Sequence, residues 1–278
     1  MPAVFYYGRD AMTAPAAPRV ILFDWHSTLV DTAEAMYHAV DDTLQKLVEL
    51  ELLERLRDPR DSKTEEDARL VRYVRENLRL HPRIISEKRI SRTDIFEVLF
   101  GEDEAAKTAA HEEFNNCYRQ HFGEIHPIEE GIDEMLIQLH AMGIKLGVLT
   151  NRNREFLEHE IRYIHLSGWR RLMDVLVCGD EVQRRKPAPD LILSALDQLG
   201  VAADPAVWYV GDSTTDTITA KAAGVTSIFY NGAEWEPEWL EKIFPGNEQY
   251  PHKPDCIIND FREFNRLVED SVRDQGLD

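Results

Sequence analysis

The residues in this chain best suited to chemistry are acids, a histidine and a lysine set just beyond short apolar runs. "LFDWHSTLVD" (22–31) closes such a run with Asp24, then places His26 two positions and Thr28 four positions later. "KLGVLT" (145–150) ends in Thr150 and is followed by Asn151, "RRKPAPD" (184–190) carries Lys186, and "GDSTTD" (211–216) spaces Asp212 and Asp216 four apart. Asp24, Asp212 and Asp216 converging near one lysine would repel one another, and a bound cation would relieve that repulsion. A ligand set of oxygen atoms, without a cysteine–histidine cluster, favours Mg²⁺. His26 adds a different group, because an imidazole with a reference pKa of about 6.5 both gives and takes a proton near neutrality.

The surrounding pattern says how these residues are held. Short apolar runs rich in β-branched residues alternate with segments of helical period, which predicts a parallel sheet built of βαβ units. The strands read as VILF (20–23), KLGVLT (145–150), DVLVCG (174–179), VWYVG (207–211), TSIFY (226–230) and CIIN (256–259). Helical patterns begin near Ile132, Glu155, Pro189 and Thr215, with Gly143, Gly200 and Gly224 placed to close several helices. The fold class that follows is α/β, a doubly wound parallel sheet. Such sheets bind ligands beyond the carboxyl ends of their strands, which is where Asp24, Thr150, Asn151 and Asp212 fall. Prolines beside Lys186 fix a turn ahead of the next helix. Residues 33–127 break the alternation, being heavily charged and helical in spacing without strand signals. They are expected as a helical domain inserted after the first strand, leaving 19–32 and 128–278 as the core and the Ala/Pro-rich residues 1–18 as a flexible leader.

Composition excludes several function classes. Lys plus Arg total 32 against 51 Asp plus Glu, a formal charge of −19 that repels nucleic acid and anionic lipid over most of the surface. Cys117, Cys178 and Cys256 are few and odd in number and form no C-x-x-C motif, which fits a reducing, cytoplasmic compartment. The sequence contains no run of about 18 apolar residues that could span a membrane. Within the insertion, "RLHPRIISEKRISR" (79–92) is locally basic, and Arg89 and Arg92 are candidates for holding an anionic substrate. After TSIFY, Trp235 and Trp239 are expected to pack a short helix against the core.

An Asp with Thr four residues on, a strand-ending Thr, a Lys-Pro and a G-D-S-x-x-D, each tied to its own strand, resemble in their order the haloacid dehalogenase superfamily, and within it the phosphoglycolate phosphatase-like enzymes. The resemblance covers about residues 19–32 and 128–260, and the helical insertion falls where the C1-type cap of that family belongs. It implies a hydrolase of small phosphorylated metabolites in which Asp24 attacks phosphorus and forms an aspartyl-phosphate. By the same resemblance, Thr28, Thr150 and the Asn151 backbone would contact substrate, and Lys186 would offset negative charge. Mg²⁺ would be held by Asp24, the carbonyl of His26, Asp212 and Asp216, the last directly or by orienting its neighbours. Phosphatases of the family usually have Asp where His26 stands and often Gly where Ser27 stands. Histidine there either replaces the carboxylate as acid and base or marks a slow or silent phosphate-binding protein. A third reading is a hydrolase of phosphonoacetaldehyde type, which Asp24-Trp25 resembles and which would need an insertion lysine such as Lys46, Lys63 or Lys88. The oligomeric state is not legible.

Overall fold

A computed structural model describes residues 5–6, 15–87, 92–164 and 168–273, with backbone alone at 5–6, 86–87 and 92–93. The chain divides into two compact units, one formed by Met1–Asp31 with His126–Asp278 and the other by Thr32–Ile125.

The first unit is an α/β domain around a seven-stranded sheet. Its strands are β1 (Phe5–Tyr6), β2 (Val20–Phe23), β5 (Lys145–Thr150), β6 (Val175–Cys178), β7 (Val207–Gly211), β8 (Thr226–Tyr230) and β9 (Cys256–Ile258). The spatial order is β1-β9-β8-β7-β2-β5-β6. All neighbours run parallel except the edge pair of β1 with β9. After the edge strand β1, the parallel sheet begins near the middle at β2, builds outward through β5 and β6, then returns to the other side of β2 with β7, β8 and β9. That reversal makes the carboxyl ends of β2, β5 and β7 a topological switch point, the usual place for a ligand in an open α/β sheet.

Alternation along each strand sends side chains to opposite faces. Val20 and Leu22 of β2, with Val207 and Tyr209 of β7, join a core completed by Leu191, Ile192 and Ala195 of α9 (Asp190–Leu199) and Ala220 of α10 (Thr214–Ala223). The intervening residues pack aromatically: Phe23 and Trp208 both meet Phe264 of α12 (Phe261–Arg273) edge-on. Burial on both faces explains why the central strands read as continuous apolar runs. Among the described residues the other helices of this unit are α6 (Ile132–Ala141), α7 (Arg154–Tyr163), α8 (Gly168–Leu172) and α11 (Pro237–Ile243).

The second unit, Thr32–Ile125, is helical, and its described residues form α1 (Ala33–Gln45), α2 (Glu65–Asn77), α3 (Pro82–Glu87), α4 (Arg92–Phe100) and α5 (Glu104–Tyr118), with three short 3-10 turns. Phe96 of α4 and Phe114 and Tyr118 of α5 form an aromatic line through its interior. Thr64 and Asp67 close a reciprocal capping box at the start of α2, so its charged sequence is helical on a surface that packing alone would not fix.

Three features differ from the sequence reading. Within the stretch expected as a leader, Phe5–Tyr6 add an edge strand, Phe5 pairing with Ile257 and Tyr6 with Cys256. β3 (Val30–Asp31) and β4 (His126–Pro127) form a two-stranded pair where the chain leaves and re-enters the first unit, so His126 and Pro127 stand with that unit. Helix α11 is anchored by buried Leu240 and Phe244, whereas Trp235 and Trp239 are exposed at 43% and 58%. Trp235 precedes the helix and stacks on Phe229, and Trp239, on its exposed side, carries the Lys242 ammonium over its ring.

Candidate active site

Three strand ends deliver the chemistry. Asp24 follows β2 and is fixed by its amide, which donates to the Val210 carbonyl at 2.8 Å. Thr150 ends β5, and Asp212 follows Gly211 at the end of β7. Gly211 has to be glycine because a β-carbon there would run into the Asp216 carboxylate. Asp216 is the third residue of α10 and closes a capping box with Ser213, whose hydroxyl donates to Asp216 Oδ2 at 2.5 Å. Lys186 arrives from the loop before α9, where the Asn151 side chain holds it. Asn151 Oδ1 accepts from the Lys186 amide at 2.8 Å, and Asn151 Nδ2 donates to the Lys186 carbonyl at 3.3 Å. The Asn151 side chain therefore works as a clamp on the lysine loop.

Lys186 is the hub. Its Nζ lies 2.7 Å from Asp24 Oδ1, 2.7 Å from Asp216 Oδ1 and 3.1 Å from the Tyr209 hydroxyl. Tyr209 in turn donates to Asp216 Oδ1 at 2.9 Å. Asp216 thus spends both oxygens on Lys186, Tyr209 and Ser213, which makes it a positioning group for the lysine. Thr28 is buried and its hydroxyl points to Asp212 Oδ1 at 3.4 Å. Thr150 is buried as well, and its Oγ1 accepts from the Arg152 amide at 3.1 Å, leaving the hydroxyl proton to be donated elsewhere.

The electrostatics of the cluster follow from three carboxylates sharing one ammonium in a buried place. Burial raises the Asp24 carboxyl above its ordinary range, Lys186 pulls it down, and Asp216 pushes it up again. Burial, then the charges of Asp24 and Asp216, push Asp212 up to about 8. Lys186 goes the other way: burial would lower it, but Asp216 and Asp24 hold its pKa well above the usual value. With Asp24 and Asp212 both shifted against ionising, the site is short of positive charge. Ligand oxygens of Asp24, Asp212 and Asp216 lie within 4.8 Å of one another, so the residues present fit a hard divalent cation.

His26 takes an arrangement that sequence reasoning missed. Its Nε2 lies 3.1 Å from Oε2 of Glu160, a fully buried carboxylate on α7, and the Trp25 indole donates to the same oxygen at 2.7 Å. The two residues after Asp24 are therefore both tied to one buried acid, and Ser27 next to them has a left-handed backbone with φ 59°. A signal for Glu160 existed: in "REFLEHEIRY" it falls at helical spacing with Phe156, Leu157 and Ile161 on the buried face. Tyr209 was missed because in VWYVG it reads as an ordinary strand aromatic. Arg89 lies outside the described residues, and for Arg92 only the backbone, at the start of α4, is described.

Comparison with known proteins agrees with this geometry. The family model for haloacid dehalogenase-like hydrolases matches residues 21–230. Phosphoglycolate phosphatase of Xanthomonas campestris is 31% identical over 211 residues, covering 76% of this chain and 82% of that protein. Phosphoglycolate phosphatase of Xylella fastidiosa is 32% identical over 214 residues, covering 77% and 80%. Among solved structures, a HAD-superfamily hydrolase of subfamily IA from Geobacter sulfurreducens superposes with a TM-score of 0.57 at 21% identity, covering 91% of this chain and 97% of that one, a likeness of fold. With the match spanning most of its length and every strand that carries the site, the chain belongs to the haloacid dehalogenase-like hydrolases.

Proposed function

We propose that this protein is a Mg²⁺-dependent phosphomonoesterase that hydrolyses a small anionic phosphorylated metabolite through an aspartyl-phosphate on Asp24. One observation carries the reading: Asp24 sits at the switch point with the Lys186 ammonium 2.7 Å away, beside two further carboxylates. The names of the relatives support a phosphorylated hydroxy acid such as phosphoglycolate as the first substrate to try.

In this reading Asp24 attacks phosphorus in line with the departing alkoxide, and the intermediate is then cleaved by water. The Thr150 hydroxyl and the Asn151 backbone amide bind phosphoryl oxygens. Lys186 offsets the charge gathered on Asp24 and the phosphoryl group, and Asp216 with Tyr209 holds the ammonium in place. His26 protonates the leaving oxygen in the first half-reaction and takes a proton from water in the second. Asp24, Asp212 and the His26 carbonyl would hold the cation, with Asp216 ordering the site, and the cation would supply charge neutralisation between carboxylates and phosphate. Residues 32–125 act as a C1-type cap, in which Arg89 and Arg92 are assigned to the substrate's anionic part. The three cysteines are buried and form no disulfide among the described residues, which supports a cytoplasmic setting. The charge of −19 supports small-molecule substrates over nucleic acid or membrane.

The test is release of inorganic phosphate from phosphoglycolate and a panel of phosphate monoesters, with Asp24→Asn and EDTA treatment as controls. Both are expected to abolish turnover, with Mg²⁺ restoring the chelated enzyme. Substantial activity surviving either treatment would overturn the covalent, metal-assisted mechanism.

A further inference from the structure

The helical unit Thr32–Ile125 contains a second cluster of ligand-type side chains, made by one helix and one 3-10 turn at their natural spacings. Helix α1 presents His38 and Asp42 one turn apart. The 3-10 turn Phe122–Glu124 presents its cap residue His121 and its last residue Glu124 three apart. Together they place two imidazoles on one carboxylate. His38 Nδ1 lies 2.6 Å from Glu124 Oε2, His121 Nδ1 lies 2.9 Å from Glu124 Oε1, and the two rings are 5.6 Å apart. The far nitrogen of His121, Nε2, meets Asp42 Oδ2 at 2.8 Å.

We infer that His38, His121 and Glu124 form a site for a borderline transition-metal dication such as Zn²⁺, with Asp42 orienting His121. The argument is one of donor direction. Both histidines aim the same ring nitrogen at the same carboxylate, and the ligand atoms of all three lie within 4.8 Å of one another. Asp42 accepts the Nε2 proton of His121, which leaves the Nδ1 lone pair on the side of Glu124. A carboxylate behind a metal-binding histidine is the common device for fixing its tautomer and raising its basicity. Two imidazole nitrogens with one carboxylate suit Zn²⁺, Co²⁺ or Ni²⁺ and not Mg²⁺, which prefers oxygen throughout. Without metal, each Nδ1 needs a proton to bond Glu124, so the cation takes the place of those protons.

The position gives such a site a consequence. His38 and Glu124 are 86 residues apart in the chain and stand near the points where it enters and leaves the helical unit. A metal joining them ties the two ends of that unit together and stabilises the folded state by mass action.

Zn²⁺ titration of the full chain by calorimetry in saturating Mg²⁺ tests the site, with the Co²⁺ spectrum as a second readout. One equivalent of Zn²⁺ is expected to bind, and Co²⁺ is expected to show the visible absorption of a nitrogen-ligated centre. His38→Ala and His121→Ala are expected to abolish both signals. Asp42→Asn is expected to keep the site and weaken it about 10–100-fold. Zn²⁺ should raise the melting temperature of the parent protein and leave that of His38→Ala unchanged; the His38 side chain is half exposed, so its removal spares the fold. Absence of Zn²⁺ uptake by the parent protein, or equal uptake by His38→Ala and His121→Ala, overturns the proposal.

Discussion

Glu160 gives His26 its setting. A carboxylate with no exposure to solvent is stable only when its lone pairs are met, and here a tryptophan indole and a histidine ring meet them. The result is an acid–imidazole pair beside Asp24, with the ring direction set from behind. Replacing Glu160 with Gln keeps one acceptor oxygen but removes the negative charge that faces the imidazole, and puts an amide donor where the second oxygen stands 3.3 Å from His26 Nε2. The expected effect is a loss in kcat of about tenfold with KM little changed, within the ~0.5–3 kcal/mol typical of coupled neighbours. In a His26→Ala background, itself about 10²–10⁴-fold slower if general acid–base catalysis is lost, the Glu160→Gln effect should vanish. Full additivity of the two losses would show that Glu160 acts on the fold alone. At this scale Asp24, Asp212 and Asp216 were legible because each lies just beyond a strand, and Lys186 because it leads into a proline turn. Glu160 and Tyr209 were not, since their partners come from elements 134 and 23 residues away and the sequence does not show which strands are neighbours.

Elements place these groups through a few close approaches that tolerate no extra atoms. The end of β7 passes so near the Asp216 carboxylate that Gly211 has no room for a side chain, and Gly179 after β6 is closed in the same way by the Asn151 carbonyl. Asp216 cannot easily yield, because Lys186, Tyr209 and Ser213 all hold it. Gly211→Ala is therefore expected to cost about 1–3 kcal/mol, as overpacking commonly does. It should lower kcat through a displaced Lys186. Thermal melting and phosphate-release kinetics on one preparation check both effects, and an alanine variant equal to the parent in both would refute the crowding argument. The six main strands were legible as apolar runs, with ends differing by one residue at β6 and β9. The two-residue strands β1, β3 and β4 were not, because two residues carry no periodicity and their pairing is decided by the backbone they meet. Helix α11 was legible as a helix while its anchors were misjudged. Aromatic size drew attention to Trp235 and Trp239, but the spacing of Leu240 and Phe244 decides which face is buried.

At the scale of the whole molecule, the buried acid cluster couples metal binding to stability in a sign opposite to that of a paired carboxylate. Asp212 is raised from an ordinary value of 3.8 to about 8 by burial and by its acidic neighbours. Between those pH values the metal-free folded protein holds a proton that the unfolded chain has released, so its stability falls as pH rises through that window. Asp24 is shifted in the same direction, and the overall charge of −19 adds self-repulsion as the remaining acids ionise. A divalent cation reverses this, because it binds the ionised carboxylates and replaces the proton by a stronger charge. The rise in melting temperature produced by a fixed, saturating Mg²⁺ concentration is therefore expected to be small near pH 5, to grow toward pH 8 and to level off above it. Calorimetric titration in buffers of different ionisation enthalpy should show protons released on Mg²⁺ binding near pH 6 and few near pH 9. Asp212→Asn removes the titrating group and should flatten the dependence while weakening binding, which separates the cluster from any general effect of salt on an acidic protein. A Mg²⁺ increment constant from pH 5 to pH 9 in the parent protein would mean that these carboxylates are not the cation's ligands.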